Sequence, residues 1–214
     1  MNIVAGIYRL AIAFFCLAGT HETWLLGEWK NLCFFTHETN IVLGLVMVWA
    51  GFASLLDGRQ PPAWLKGCLT LYIAITGLVA WLVLEPTVIG PDTARVLGIP
   101  CVWMVHIIAP IMACLDFVLF DAHRRFRWQY TLTWLIYFPF YLAFVLVRAA
   151  LWPHSALDGA SPYPYPFVDV AQIGWAQLGV NIVIYLAVFF LLGLVLFLID
   201  KVLPAKPLLG GAKR

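Results

Sequence analysis

The chain has 214 residues, of which 63% are apolar or aromatic and 11% charged, with a formal net charge of +2. A soluble domain carries about a quarter charged residues, so this composition cannot cover itself with a wetted surface, and lipid must be much of its solvent. The small net charge, with no basic run interleaved with aromatics, excludes nucleic acid as a partner.

A membrane-crossing helix needs about 20 mostly apolar residues. Six stretches meet this, at about 3–19, 33–56, 63–84, 97–120, 128–152 and 172–203. They predict an all-α integral membrane protein, one domain over 1–214, built as a bundle of six transmembrane helices. Arg9 sits inside the first stretch and no small-residue cleavage site follows, so that stretch is expected to be a retained helix rather than a signal peptide. Asp57-Gly58 and Pro61-Pro62 mark the turn between the second and third helices, and Glu85-Pro86 and Gly90-Pro91 the next. The longest linker, Pro153 to Val170, is rich in Pro, Tyr, Ser and Gly. No internal repeat supports an inverted-repeat transporter.

Lys and Arg in the short loops set the orientation. Arg59, Lys66, Arg124, Arg125, Arg127, Lys201, Lys206, Lys213 and Arg214 fall on one side, against Lys30 and Arg95 on the other. Both termini are therefore expected to be cytoplasmic. Trp24, Trp29, Trp64, Trp128 and Trp152 fall near span ends, where amphipathic rings favour the interface. The five cysteines (Cys16, Cys33, Cys68, Cys101, Cys114) are scattered without a CxxC pair. They read as small apolar core residues, with Cys33 and Cys101 near enough to one face for a disulfide. No metal or cofactor is expected.

Charges at membrane depth are costly, so each needs a partner or a function. Arg9 and Asp116 lie at similar depth near the cytoplasmic side and are expected to pair. Glu38 and Arg148 lie at similar depth near the outer side and are expected to form a second pair. Such buried pairs fix helix neighbours more than they add stability.

The segment Phe34-Phe35-Thr36-His37-Glu38-Thr39-Asn40 opens an otherwise apolar helix with five consecutive polar residues. Thr36, Thr39 and Asn40 share one face, which continues through Leu43 and Met47 and should look into the bundle. His106 lies about nine residues, or roughly 14 Å, below the outer end of the fourth helix. Pro110 follows at i+4 and removes the helical partner of the His106 carbonyl. Irregular backbone at this depth needs surrounding protein or a watery cavity. Asn181 on the sixth helix comes out at the same depth. Thr and Asn in membrane helices often only bond neighbouring helices. A mid-membrane histidine is harder to dismiss, because its nitrogens need partners.

A threonine hydroxyl becomes a nucleophile when a neighbouring base takes its proton, and a neutral imidazole can do this. Thr36 or Thr39 with His106 would then open a lipid ester through an acyl-threonine, with Asn40 and Asn181 as candidate oxyanion donors.

Three stretches of this chain resemble the androgen-induced-protein family of six-span membrane hydrolases. They are Phe35-Thr36-His37-Glu38-Thr39-Asn40; His106-Ile107-Ile108-Ala109-Pro110 with Leu115-Asp116-Phe117; and Tyr163-Pro164-Tyr165-Pro166-Phe167. The resemblance covers nearly the whole chain. It implies a threonine hydrolase with a His partner, acting on fatty acid esters of hydroxy fatty acids. The histidine carries over to His106. The family's Thr stands three residues before an Asn, whereas here Thr36 stands four before Asn40 and Thr39 one before. The preceding aromatic makes Thr36 the expected nucleophile, with Thr39, which depth slightly favours, as the alternative.

Other readings are a b-type haem electron carrier with His37 and His106 as axial ligands, a transporter or channel lined by the intramembrane charges, and a scaffold. The estimated depths of His37 and His106 differ by about 7 Å, which disfavours the haem. The expected partners are membrane lipids and a lipid substrate. The short loops and the lack of eukaryotic signals point to a bacterial inner membrane.

Overall fold

The computed structural model describes residues 2–84, 93–157 and 161–209. Glu85-Pro86, Gly90-Pro91, Lys213 and Arg214 lie outside them.

The described chain is mostly helical. Helix α1 is Ile3–Gly19; a one-turn α2, His21–Trp24, and a 3-10 turn, Trp29–Cys33, lead into α3, Phe35–Leu55. Helix α4 is Ala63–Leu82. A single helical column then joins α5, Cys101–Trp103, a π-helical turn, Met104–Ile108, and α6, Ala109–Phe120. The next column is broken into α7, Tyr130–Thr133, and α8, Tyr137–Leu151, and the last is α9, Val170–Val202, kinked at Gly174. Five stretches are long and apolar enough to cross a membrane: Phe35–Leu55, Ala63–Leu82, Cys101–Phe120, Tyr130–Leu151 and Val170–Val202. Helix α1 is apolar but shorter, at 17 residues.

Two expected helices are shortened by local chemistry. The fourth was expected from about residue 97. Instead Arg95–Val96 pairs antiparallel with Ile99–Pro100, across a turn with Leu97 at φ 51° and Gly98 at φ 79°. A two-residue turn of this kind needs φ > 0 at both central positions. The fifth breaks at residues 134–136, just before Pro139, whose ring clashes with the carbonyl four residues back.

Helices α1 and α3 pack closest. A Cβ on Gly6 would lie 3.1 Å from the Gly51 carbonyl oxygen, and one on Gly51 3.2 Å from that of Gly6. Backbone contact through small residues is how helices associate where lipid removes the hydrophobic drive. Ile12, Leu43, Met47 and Ile73 fill the core beside this contact. A second cluster is mostly aromatic, with Phe35, Tyr72, Phe117, Phe126, Trp134 and Tyr141. Helix α9 stands at the edge, with only Leu178, Gly193 and Asp200 of its described residues buried.

Asn2, Asp57, Arg125 and Pro207 line one cavity, which puts both ends of the described chain at one end of the bundle. Just inside that end Arg9, 3% exposed, meets Asp116, 0% exposed, as expected. The pair belongs to a larger cluster. Arg9 Nε donates to Asp116 Oδ1 at 2.9 Å and Nη2 to Asp121 Oδ1 at 2.8 Å. Arg9 Nη1 reaches Ser54 Oγ at 2.7 Å and Gln60 Oε1 at 3.1 Å, and Nη2 the Phe120 carbonyl at 3.2 Å. Lys66, expected at a loop end, is buried and bonds both Asp116 and Asp121. Two cations and two carboxylates thus close a neutral cluster joining α1, α4 and α6.

Candidate active site

The polar segment predicted at the start of the second span lies at the opposite end of the bundle. Phe34 is the N-cap of α3, so Thr36 falls in the first turn of the helix. Tyr141 fixes this turn from α8: its hydroxyl donates to the Cys33 carbonyl at 2.7 Å and accepts from the Phe35 N–H at 3.2 Å. The amide of Thr36 is one of the free donors that every helix start leaves. No backbone carbonyl accepts from it; the Tyr165 phenol lies against it instead.

His106 sits in the π-helical turn just before Pro110. Pro110 cannot donate to the His106 carbonyl, and the extra residue in the wider turn absorbs the misfit, with the Ala109 N–H bonding the Met104 carbonyl. The His106 carbonyl and Pro110 ring lie against Gly77 of α4. A Cβ on Gly77 would lie 3.0 Å from Pro110 Cβ and 3.3 Å from the His106 oxygen. Gly77→Ala is therefore expected to push the π turn away and destabilise the protein by about 1–3 kcal/mol, as overpacking does. Thermal unfolding of the purified variant would check this.

Thr36 and His106 meet. Thr36 Oγ1 lies 3.2 Å from His106 Nε2, and His106 Nδ1 lies 3.1 Å from the Val102 carbonyl oxygen. A carbonyl can only accept, so Nδ1 carries the proton in the neutral ring. Nε2 is then the acceptor for the Thr36 hydroxyl. Both residues line an apolar cavity of about 400 Å³, which Phe138, Leu142 and Leu146 of α8 and Ile182, Leu186 and Phe189 of α9 enclose. No Asp, Glu, Lys or Arg lines it.

The remaining predicted residues fall into different roles. Thr39 is buried but does not line the cavity. Asn40 is not a free oxyanion donor. Its Nδ2 donates to the Thr36 carbonyl at 2.9 Å and the Val105 carbonyl at 3.3 Å, tying the first turn of α3 to the π turn. Asn181 lines the cavity, but its Nδ2 donates to the Phe167 carbonyl at 2.9 Å and its Oδ1 accepts from Gln177 at 2.9 Å. It braces the loop before α9.

The expected Glu38–Arg148 pair is not formed among the described residues. Tyr137 donates to Glu38 Oε2 at 2.6 Å. Arg148 donates to the Ser155 and Pro162 carbonyls at 2.9 and 2.7 Å and to Ser155 Oγ at 2.7 Å. Equal depth put the two charges at one level, but the nearest acceptors to Arg148 are loop oxygens. Arg148 thereby straps down the segment that carries Tyr165 and Phe167 over the cavity. Arg148→Met should speed proteolysis within residues 161–169, since bonds to a charged donor hold roughly 1.5–3 kcal/mol each. Limited digestion would show it.

His37 holds Thr23 instead of facing a haem, with Nδ1 2.7 Å from Thr23 Oγ1. His106 has both nitrogens engaged, so the pair does not fit axial ligation. Cys33 and Cys101 are buried free thiols. Sequence reasoning missed Tyr137, Tyr141, Gly77 and the Val102 carbonyl. Only Tyr165 had a signal, in the Tyr-Pro-Tyr-Pro run, and that run assigned it no role.

No family model, curated protein or solved structure matches the chain.

Proposed function

We propose that the chain is a multi-pass membrane protein that hydrolyses lipid esters with Thr36 as nucleophile and His106 as general base. The observation that carries this reading is the 3.2 Å approach of Thr36 Oγ1 to His106 Nε2 at the wall of an apolar cavity. The resemblance to the androgen-induced-protein hydrolases supports it and suggests fatty acid esters of hydroxy fatty acids as substrates. In this reading α1, about 26 Å long by its residue count, is the sixth span, extended towards the interface by α2. The cationic loops support cytoplasmic termini, and the short loops favour a bacterial inner membrane.

The reaction follows from the tautomer. Thr36 Oγ attacks the ester carbonyl carbon while its proton passes to His106 Nε2, and the carbonyl π electrons move onto oxygen. The tetrahedral intermediate collapses, expelling the alcohol oxygen, which takes the proton from Nε2. Water then attacks the acyl-threonine, giving its proton to Nε2; Thr36 leaves with that proton and the free acid is released. The Val102 carbonyl holds the ring and stabilises the imidazolium. It does the orienting work that a carboxylate does in a Ser-His-Asp triad.

Release of free fatty acid from a branched ester of a hydroxy fatty acid, by detergent-purified protein, tests the reading. Activity lost in Thr36→Ala and in His106→Ala is the expected result. Equal activity in both variants and wild type would remove these residues from the chemistry.

A further inference from the structure

The neighbourhood of Thr36 contains one more polar group with no assigned work. Tyr165, on the loop before α9, lines the same cavity as Thr36 and His106. Its ring packs edge-on against Phe34, with centroids 5.9 Å apart, and stacks on Phe167 at 5.1 Å. These contacts aim the phenol at the start of α3, where it lies against the Thr36 hydroxyl and amide, the Phe35 amide and the Tyr141 phenol. The Phe35 amide and the Tyr141 hydroxyl are already paired with each other, and Tyr141 also holds the Cys33 carbonyl. The Thr36 amide has no backbone carbonyl partner, and it faces the Tyr165 phenol oxygen together with the Thr36 hydroxyl.

A tetrahedral intermediate on Thr36 Oγ must put its oxyanion within reach of donors. The two asparagines singled out by sequence have their amides directed elsewhere. The geometry points to Tyr165 as a catalytic residue whose O–H, together with the Thr36 N–H, stabilises the oxyanion formed when Thr36 attacks an ester. This rests on the hydrolase reading of the site and adds to it a residue from the loop. The phenol keeps its proton throughout: it donates a hydrogen bond to the carbonyl oxygen as negative charge builds there, and that bond weakens when the C=O reforms. Burial raises the Tyr165 phenol above its ordinary pKa, with partial offset from the neighbouring Thr36 and Tyr141 groups. It is therefore protonated at neutral pH, as a donor must be. The N-terminus of α3 adds the partial positive charge of its helix dipole. Since this loop is strapped by Arg148 and by Asn181, the oxyanion site would be complete only when the loop is seated.

The test uses full-length protein in detergent and a long-chain acyl ester with a chromogenic phenolate leaving group, beside the thionoester in which sulfur replaces the carbonyl oxygen. Tyr165→Phe keeps the ring contacts with Phe34 and Phe167. It is expected to lower kcat on the oxygen ester about 10²-fold, with KM within about twofold. Sulfur accepts hydrogen bonds poorly, so the same variant should lose much less rate on the thionoester, and the ester-to-thionoester ratio should fall. A merely structural tyrosine would lower both rates together. Tyr163→Phe, in the same loop but outside the cavity lining, should leave both rates unchanged. Thr36-dependent turnover that persists within twofold in Tyr165→Phe, or an unchanged ratio, would overturn the oxyanion role and leave the hydrolase reading intact. Turnover that is equal in wild type and Thr36→Ala would instead overturn the hydrolase reading beneath it.

Discussion

Thr36→Ala and His106→Ala are each expected to lower kcat at least about 10⁴-fold, and the double variant to be no slower than the worse single one. Residues that act as one unit are non-additive, because removing either leaves the other without a task. The residual rate should come from binding and oxyanion stabilisation. Thr39→Ala is the matched control. Thr39 shares the helix and is equally buried, but it does not line the cavity, so its turnover should stay within about twofold of wild type. His106→Gln should be nearly as slow as His106→Ala, since an amide can hold a hydrogen bond to Thr36 but cannot take its proton at neutral pH. Single-turnover measurements would separate acylation from hydrolysis of the acyl-threonine. Strictly additive losses in the double variant would mean that the two residues serve different steps.

The choice between Thr36 and Thr39 shows where sequence reasoning stops. Apolar run length located every long helix, because a span must satisfy its own backbone and show apolar side chains to lipid. Depth arithmetic then assumed straight helices of uniform rise, and it put Thr39 nearer to His106. Two irregularities undo that arithmetic. Helix α3 begins at Phe35, after a separate 3-10 turn, and the π turn at Met104–Ile108 inserts an extra residue that rotates His106 relative to an ideal helix. Pro110 announced a disturbance, but a missing N–H does not say whether the helix will kink or widen. The convergence of His106 with the Thr36–Asn40 segment was legible; the side-chain azimuths were not.

Partner choice was legible only where both partners are charged. Arg9 with Asp116 follows from burial cost and matching depth. Lys66 was read as a loop-end cation, because nothing in a hydropathy profile distinguishes a snorkelling lysine from one folded inward onto Asp116 and Asp121. Depth alone matches Arg148 to Glu38. Backbone carbonyls of an irregular loop carry no mark in a sequence, yet they satisfy a guanidinium as well as a carboxylate can. The loop residue Tyr165 was unreachable by periodicity altogether, since its position depends on how the Pro-rich segment folds back over the cavity.

Asp116→Ala should be the most destabilising single change at the other end of the bundle, by about 3–5 kcal/mol. Asp116 is fully buried and accepts from Arg9 Nε at 2.9 Å and from Lys66 Nζ at 2.5 Å. Its removal leaves two buried cations against Asp121 alone, and the cost is chiefly that uncompensated charge rather than the lost bonds. This makes a second prediction within the first. Adding Lys66→Met to Asp116→Ala restores neutrality, leaving Arg9 paired with Asp121 at 2.8 Å. The double variant should therefore unfold at a higher temperature than Asp116→Ala alone, a reversal that independent contacts could not produce. Thermal unfolding in detergent, run as a double-mutant cycle, measures it. Summed single losses would mean that the cluster acts through shape rather than charge. The cluster joins α1, α4 and α6 far along α3 from Thr36, so turnover per folded molecule should be unchanged in both variants. A neutral cluster at one end can then hold the helices in register while the other end gathers the Thr36 hydroxyl, the His106 imidazole and the Tyr165 phenol at one cavity wall.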